Sequence, residues 1–237
     1  MINFYKTCFS FILAFILLGT NLLFSQPNNL GQNDKFNNPN SKNKNFEGKI
    51  NFVQEFIEDT LSYTYLVKDK IVRLDAQENC KNCKNKDNYM VFDLEKGTIT
   101  AVDPIHKMYI NIPPKPYTKN DDKNFQVIKT NNSKKIQGYK CFQWRVKNKS
   151  QNTEVSYWVA QDNFTFFEDF LKLWNRTEKH SEYYLRIPDT DGFFPMLSEE
   201  RTTLREQKMT LRVLEITKKN LDPDFFAIPK EYQPYDH

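Results

Sequence analysis

Of the four cysteines in this 237-residue chain, three lie beyond an N-terminal apolar run: Cys80 and Cys83, spaced as Cys-Lys-Asn-Cys, and Cys141. In an oxidising compartment such thiols form disulfides. A Cys-x-x-Cys pair does redox work when a strand-to-helix turn lowers a thiol pKa, but Cys80 and Cys83 stand in a Lys- and Asn-rich stretch without that setting. The pair therefore reads as a local loop staple. Cys141 lies in a strand pattern, and it takes Cys80 or Cys83 as partner instead if that loop folds over the sheet. Three cysteines completed by His106 make the smallest zinc set available. Structural zinc sites show two paired ligand motifs and this chain has one, so no metal is expected.

Other chemistry lacks its parts. The three histidines, His106, His180 and His237, show no metal-ligand spacing, no His-Glu-x-x-His and no Gly-x-Ser-x-Gly elbow. The acidic pairs Asp121-Asp122 and Glu199-Glu200 fall in polar stretches read as loops, where solvation leaves them without the shifted pKa that acid catalysis demands. No catalytic residue and no cofactor is expected, and the chain reads as a non-enzyme. The net charge of +4 comes from 34 basic and 30 acidic residues interspersed along the chain, so no nucleic-acid partner is expected.

The segment Phe9 to Phe24 is an almost unbroken apolar run with Lys6 as the sole charge before it. It has the form of a secretory signal, with Ser25 placing the cut before Gln26, so the chain is expected to be exported, most simply to a periplasm. An uncleaved anchor is the alternative, but Asn21 interrupts the run short of the roughly 20 apolar residues a spanning helix needs. No Cys stands at the junction to take a lipid, and no stable membrane span is expected after cleavage. Residues 26–45, rich in Asn with Pro27 and Pro39, are too polar to bury and read as a disordered leader.

The elements that must carry any function follow as one domain, residues 46–237. Phe46, Ile50, Phe52 and Phe56 alternate with polar residues at the strand period, and Gly48 on the apolar face marks a bulge or a close approach. Strands are predicted at 63–67 and 71–76, 89–94 and 98–102, 107–112, 125–129, 139–148 and 153–160, joined by short polar turns as in an antiparallel meander. Phe167, Phe170, Leu171 and Trp174 change to helical spacing, which predicts a helix over 164–177. Gly192 and Pro195 make 187–197 a loop carrying Phe193 and Phe194. Short late strands at 204–207 and 209–218 precede an irregular tail. The class is mainly β, an α+β chain whose helical insertion lies across one sheet face.

Several segments carry a resemblance. Phe46-Glu-Gly-Lys-Ile, Val67-Lys-Asp-Lys-Ile-Val-Arg-Leu-Asp75, Met90-Val-Phe-Asp-Leu-Glu-Lys-Gly-Thr98 and Asp103-Pro-Ile-His-Lys-Met-Tyr109 resemble the bacterial family known as domain of unknown function 4412. Gln137-Gly-Tyr-Lys-Cys-Phe-Gln-Trp144 and Phe225-Phe-Ala-Ile-Pro-Lys-Glu-Tyr232 fit its later landmarks, so the match runs over about residues 46 to 233. That family resembles the LolA- and LolB-like lipoprotein carriers of the bacterial envelope. The resemblance implies a curved antiparallel half-barrel with helical elements packed across its concave face, around a cavity that accepts acyl chains.

The apolar faces are then the candidate site: Phe52, Val72, Leu74, Phe92, Met108, Ile110, Trp144 and Tyr157 on strands, and Phe167, Phe170, Leu171 and Trp174 on the helix. Periodicity does not distinguish a filled core from a lined cavity. The carrier reading makes these residues the lining for a lipid or a lipoprotein acyl chain. The alternative is a filled core, with a strand edge or the Phe193-Phe194 loop engaging an envelope protein partner.

Overall fold

The computed structural model describes residues 45–77, 88–119, 122–175 and 178–235. The apolar run, its cut, most of the Asn-rich leader, Cys80, Cys83, Asp121 and His237 lie outside the described residues.

Strands β1 (Gly48–Glu55), β2 (Thr60–Lys68), β3 (Ile71–Gln77), β4 (Tyr89–Asp93), β5 (Thr98–Asp103) and β6 (Met108–Ile112) form an antiparallel meander. A second meander of β7 (Phe125–Ile136), β8 (Tyr139–Asn148) and β9 (Thr153–Gln161) follows. Two short helices come next, α1 (Phe166–Trp174) and α2 (Lys179–Tyr184), then β10 (Phe193–Thr202) and β11 (Gln207–Lys218). The strand β11 pairs with both β1 and β10 and so joins the halves into one open, curved sheet, in the order β6-β5-β4-β3-β2-β1-β11-β10-β9-β8-β7. Two residues near the C-terminus, β12 (Gln233–Pro234), extend it beside β6 in parallel, which makes the sheet mixed rather than wholly antiparallel.

Gly48 is a close approach. Its φ of 147° lies where side chains are rarely tolerated, and a Cβ built on it would run into the Thr217 carbonyl oxygen where β1 crosses β11. A bulge at Asn51/Phe52 in the same pairing bends the sheet further.

Four elements differ from the pattern reading. The stretch expected to be a loop at 187–197 instead enters β10, an interior strand; the register shifts between Pro195 and Leu197, so the proline sits at a bulge where its missing N–H costs little, and Met196 is fully buried. Phe194 is accordingly 1% exposed, and the Phe193-Phe194 pair is not an exposed docking loop. The expected strand at 204–207 is a turn into β11. The helix α2 was hidden in a polar stretch, and β7 runs seven residues past its expected end at Lys129 because a register shift between Lys129 and Ser133 absorbs the polar residues there.

The helices lie on the concave face of the sheet. Glu168 and Asp169 in the first turn of α1 favour its N-terminal dipole, and Thr190 donates to Glu168 at 2.7 Å. Asn175 ends it in the left-handed conformation, its N–H bonding the Leu171 carbonyl at 2.8 Å. On the opposite, convex face the C-terminal segment packs Leu221 and Phe226 against Leu66 and Ile71, and Arg73 donates to the Phe225 carbonyl at 2.9 Å. Among the described residues no helix is long and apolar enough to cross a membrane.

Candidate functional site

Strand alternation places the concave side chains in rows that run across the strands. In the first row Val67, Val72, Phe92, Ile99 and Ile112 stand opposite one another from β2 to β6. The first four are at most 1% exposed, because α1 lies over them. Phe170 meets Phe92 edge-on at 4.8 Å and Tyr65 at 5.2 Å, while Phe167 meets Phe194 at 4.7 Å and Tyr184 at 5.1 Å. Offset and edge-to-face rings of this kind add to what area burial alone contributes.

This arrangement divides the twelve apolar candidates. Phe52, Val72, Phe92, Trp144, Tyr157, Phe167, Phe170 and Leu171 belong to one buried cluster. They pack against protein: Phe52 against Tyr63 and Tyr65, Trp144 against Phe193 at 4.7 Å, and Tyr157 against Tyr184, with the Tyr157 hydroxyl donating to the His180 carbonyl at 2.6 Å. Burial pushes the Tyr157 and Tyr184 phenols far up from their ordinary pKa, as expected of rings that stay neutral.

Leu74, Met108, Ile110 and Trp174 are different, for each is only partly buried. Leu74 and Ile110 belong to a second row, one pleat from the first, in which Tyr65, Leu74, Met90, Ala101 and Ile110 stand opposite one another across β2 to β6, with Tyr65 and Ala101 buried and the other three partly exposed. Met108 follows two residues from Ile110 on the same face. Trp174, at the last turn of α1, is also partly buried and meets Phe92 of the first row edge-on at 5.4 Å. These side chains leave the apolar surface of β3 to β6 less covered there than along the first row. The Asn175 amide donates to the Lys115 and Pro116 carbonyls at 3.0 and 2.9 Å and ties the proline segment leaving β6 to the end of α1. Sequence reasoning missed Met90, although its apolar type and its place in a predicted strand were signals for the row where it stands between Leu74 and Ala101. Tyr63, at one end of the neighbouring row, has its phenol pushed up to about 12 by burial, then by the negative charges of Glu178 and Asp59.

Several titratable groups are engaged in local hydrogen bonds and ion pairs. His106 caps a turn, its Nδ1 2.6 Å from an Asp103 carboxylate oxygen, while the other Asp103 oxygen accepts from the Ile105 and His106 N–H groups. Glu199 and Glu200 lie on β10, not in a loop, beside Arg201 at 2.7 Å and Lys179 at 3.7 Å. Burial alone would raise the Glu154 carboxyl, but hydrogen bonds and charge from Arg145 and Lys147 outweigh it and hold the group below the usual carboxylate range. Among the described residues no three His, Cys, Asp or Glu side chains come together to hold a metal. Cys141 is a free, fully buried thiol whose pKa is pushed up by burial. Its disulfide candidates Cys80 and Cys83 lie outside the described residues.

Comparison with solved structures finds similar architectures at low identity. An uncharacterised conserved protein from Thermus thermophilus is 11% identical, with 81% of this chain and 91% of that chain covered and a TM-score of 0.47. MucB, in the MucA/MucB complex of Pseudomonas aeruginosa, is 9% identical over 81% of this chain and 58% of its own, with a TM-score of 0.44. A putative outer membrane lipoprotein-sorting protein domain from Vibrio parahaemolyticus is 6% identical over 76% of this chain and 87% of its own, with a TM-score of 0.20. No curated protein matches the chain. The family model described as a domain of unknown function, DUF4412, matches residues 46–232, which is nearly the whole sheet with its helices and tail, and the chain belongs to that family.

Proposed function

We propose that this is an exported, non-enzymatic protein of the bacterial envelope that holds a lipid or a lipoprotein acyl chain in the concave trough beside α1. The observation that carries this reading is the second apolar row. Leu74, Met90 and Ile110, with Met108 and Trp174, remain partly exposed beside a first row that is sealed from Val67 to Ile99. A floor of unbranched and branched aliphatic side chains under one indole wall suits a flexible hydrocarbon chain and offers no directional polar group to a polar one.

Burial of each methylene contributes about 0.8 kcal/mol, so a chain lying along five cross-strand positions gains useful affinity and is released without covalent chemistry. The export reading rests on the Phe9 to Phe24 run. The non-enzymatic reading rests on acidic and imidazole groups engaged in turns and cross-strand ion pairs.

Fluorescence titration of the folded protein with cis-parinaric acid tests the reading. Saturable binding that Trp174→Glu weakens while the melting transition survives is the expected result. No saturable binding refutes the trough as a lipid site and leaves the sheet and helices as a filled-core interaction module.

A further inference from the structure

The chain's positive charge is not spread evenly once folded. The β7–β8 hairpin, residues 125–148, carries six Lys or Arg and no Asp or Glu, in a chain whose total is +4. Only part of that charge is neutralised. Arg145 and Lys147 both reach Glu154 on β9. Lys129 lies over the Trp144 ring at 4.4 Å and donates to the Pro188 carbonyl. Lys134 lies over Trp158 at 4.1 Å and Lys140 over Phe142 at 5.2 Å, and neither these two nor Lys135 has a carboxylate partner among the described residues. The three lysines flank the tight Gln137-Gly138 turn at the hairpin tip, where both residues have positive φ.

The same hairpin supplies a terminal strand of the sheet. Among the described residues β7 pairs only with β8 and no strand lies along its outer backbone edge, whereas the opposite terminal edge is extended by the chain's own β12. Side-chain hydrogen bonds hold β7 in register across its irregular middle. Thr130 donates to the Gln143 carbonyl at 2.9 Å, and the Asn132 amide donates to the Gln143 side chain at 3.1 Å. Two straight stretches, 125–129 and 133–136, remain on either side.

We infer that the β7 edge is a docking strand for an acidic, extended segment of a protein partner, which adds to the sheet as a further strand with carboxylates on both of its faces, against Lys134 on one and the paired Lys135 and Lys140 on the other. An open ladder gives backbone hydrogen bonds to a polypeptide, and the unneutralised lysines select its charge. A phosphate-bearing lipid surface or a nucleic acid would use the lysines and leave the ladder idle. The lysines alone are also what a protein uses to keep an edge from pairing, so the test must read both features.

The probes are a fluorescent peptide of Glu-Glu and Val-Val pairs in turn, which places carboxylates on both faces of an added strand, and the same peptide N-methylated on alternate residues, with the full chain as receptor. The expected result is saturable binding of the first peptide. The triple variant Lys134→Glu, Lys135→Glu, Lys140→Glu and the N-methylated peptide each weaken it by about tenfold or more, and amide exchange slows along 125–136. Equal binding of both peptides, preference for anionic vesicles or oligonucleotides over the peptide, or no peptide binding at all overturns the inference. Lipid uptake in the trough is unaffected by the lysine variants, so the failure of one reading is separable from the failure of the other.

Discussion

Replacing Ile110 by Glu separates a lining position from a core position. Ile110 faces Ala101 on β5, in the row with Met90 and Leu74, and it is partly open to solvent, so a carboxylate there turns its oxygens to water in the empty protein. Loss of the aliphatic contact costs the fold about 1 kcal/mol. With a hydrocarbon chain in the trough the carboxylate is pressed against methylene groups and either desolvates or excludes the ligand. A penalty of about 3 kcal/mol or more follows, which weakens binding roughly 100-fold. Val72→Glu is the control, for Val72 is fully buried between Val67 and Phe92 and a carboxylate there has no path to water. Paired cis-parinaric acid titrations and urea melts read both quantities. Ile110→Glu should melt near the parent and bind poorly, and Val72→Glu should fail to fold cooperatively. Parent-like binding by a folded Ile110→Glu, or destabilisation as deep as that of Val72→Glu, refutes the division into a sealed row and an open one.

Three further outcomes are expected. Phe170→Ala removes the ring that touches both Phe92 and Tyr65 and should cost about 3–5 kcal/mol in urea denaturation, far more than Leu74→Ala in the open row. Gly48→Ala drives a methyl group into the Thr217 carbonyl and should destabilise by about 2 kcal/mol or more in thermal melts, because backbone rather than a flexible side chain must move. Glu154, held charged by Arg145 and Lys147, contributes stability above its ordinary value of 4.5 that is lost as pH falls through its lowered folded pKa; Glu154→Gln should lower the melting temperature at neutral pH and flatten the acid limb of its pH profile, with the slope above neutrality unchanged.

The strands were legible wherever apolar and polar residues alternate between clear turns, as in β1, β3 and β8. The helix α1 was legible from Phe167, Phe170, Leu171 and Trp174 because a change of period needs no tertiary information. The strand β10 was not, because Pro195 and Gly192 are breakers in isolation, and only the bulge against β9 and the Gly192 carbonyl bonded to the Asp162 and Phe164 N–H groups make them admissible. The helix α2 escaped because Lys179-His-Ser-Glu-Tyr-Tyr has little apolar periodicity. Its place is set by Tyr183 and Tyr184, which bury their rings and bond their hydroxyls to Gln151 and the Phe193 carbonyl.

The sequence placed the twelve apolar candidates on apolar faces, but which of them are buried and which stay partly exposed depends on what packs over the sheet. Alternation gives the face of a residue and not what covers it. The charge of the β7–β8 hairpin was hidden for a related reason. A chain-wide total of +4 conceals six cations that one antiparallel pair gathers at a sheet edge.

Native mass spectrometry of the protein purified from its own host bears most directly on the central claim. The account predicts a population carrying extra mass, with lipid or acyl chains recovered on extraction and lost from Ile110→Glu while the variant remains folded. Protein of bare polypeptide mass, from parent and variant alike, would contradict it.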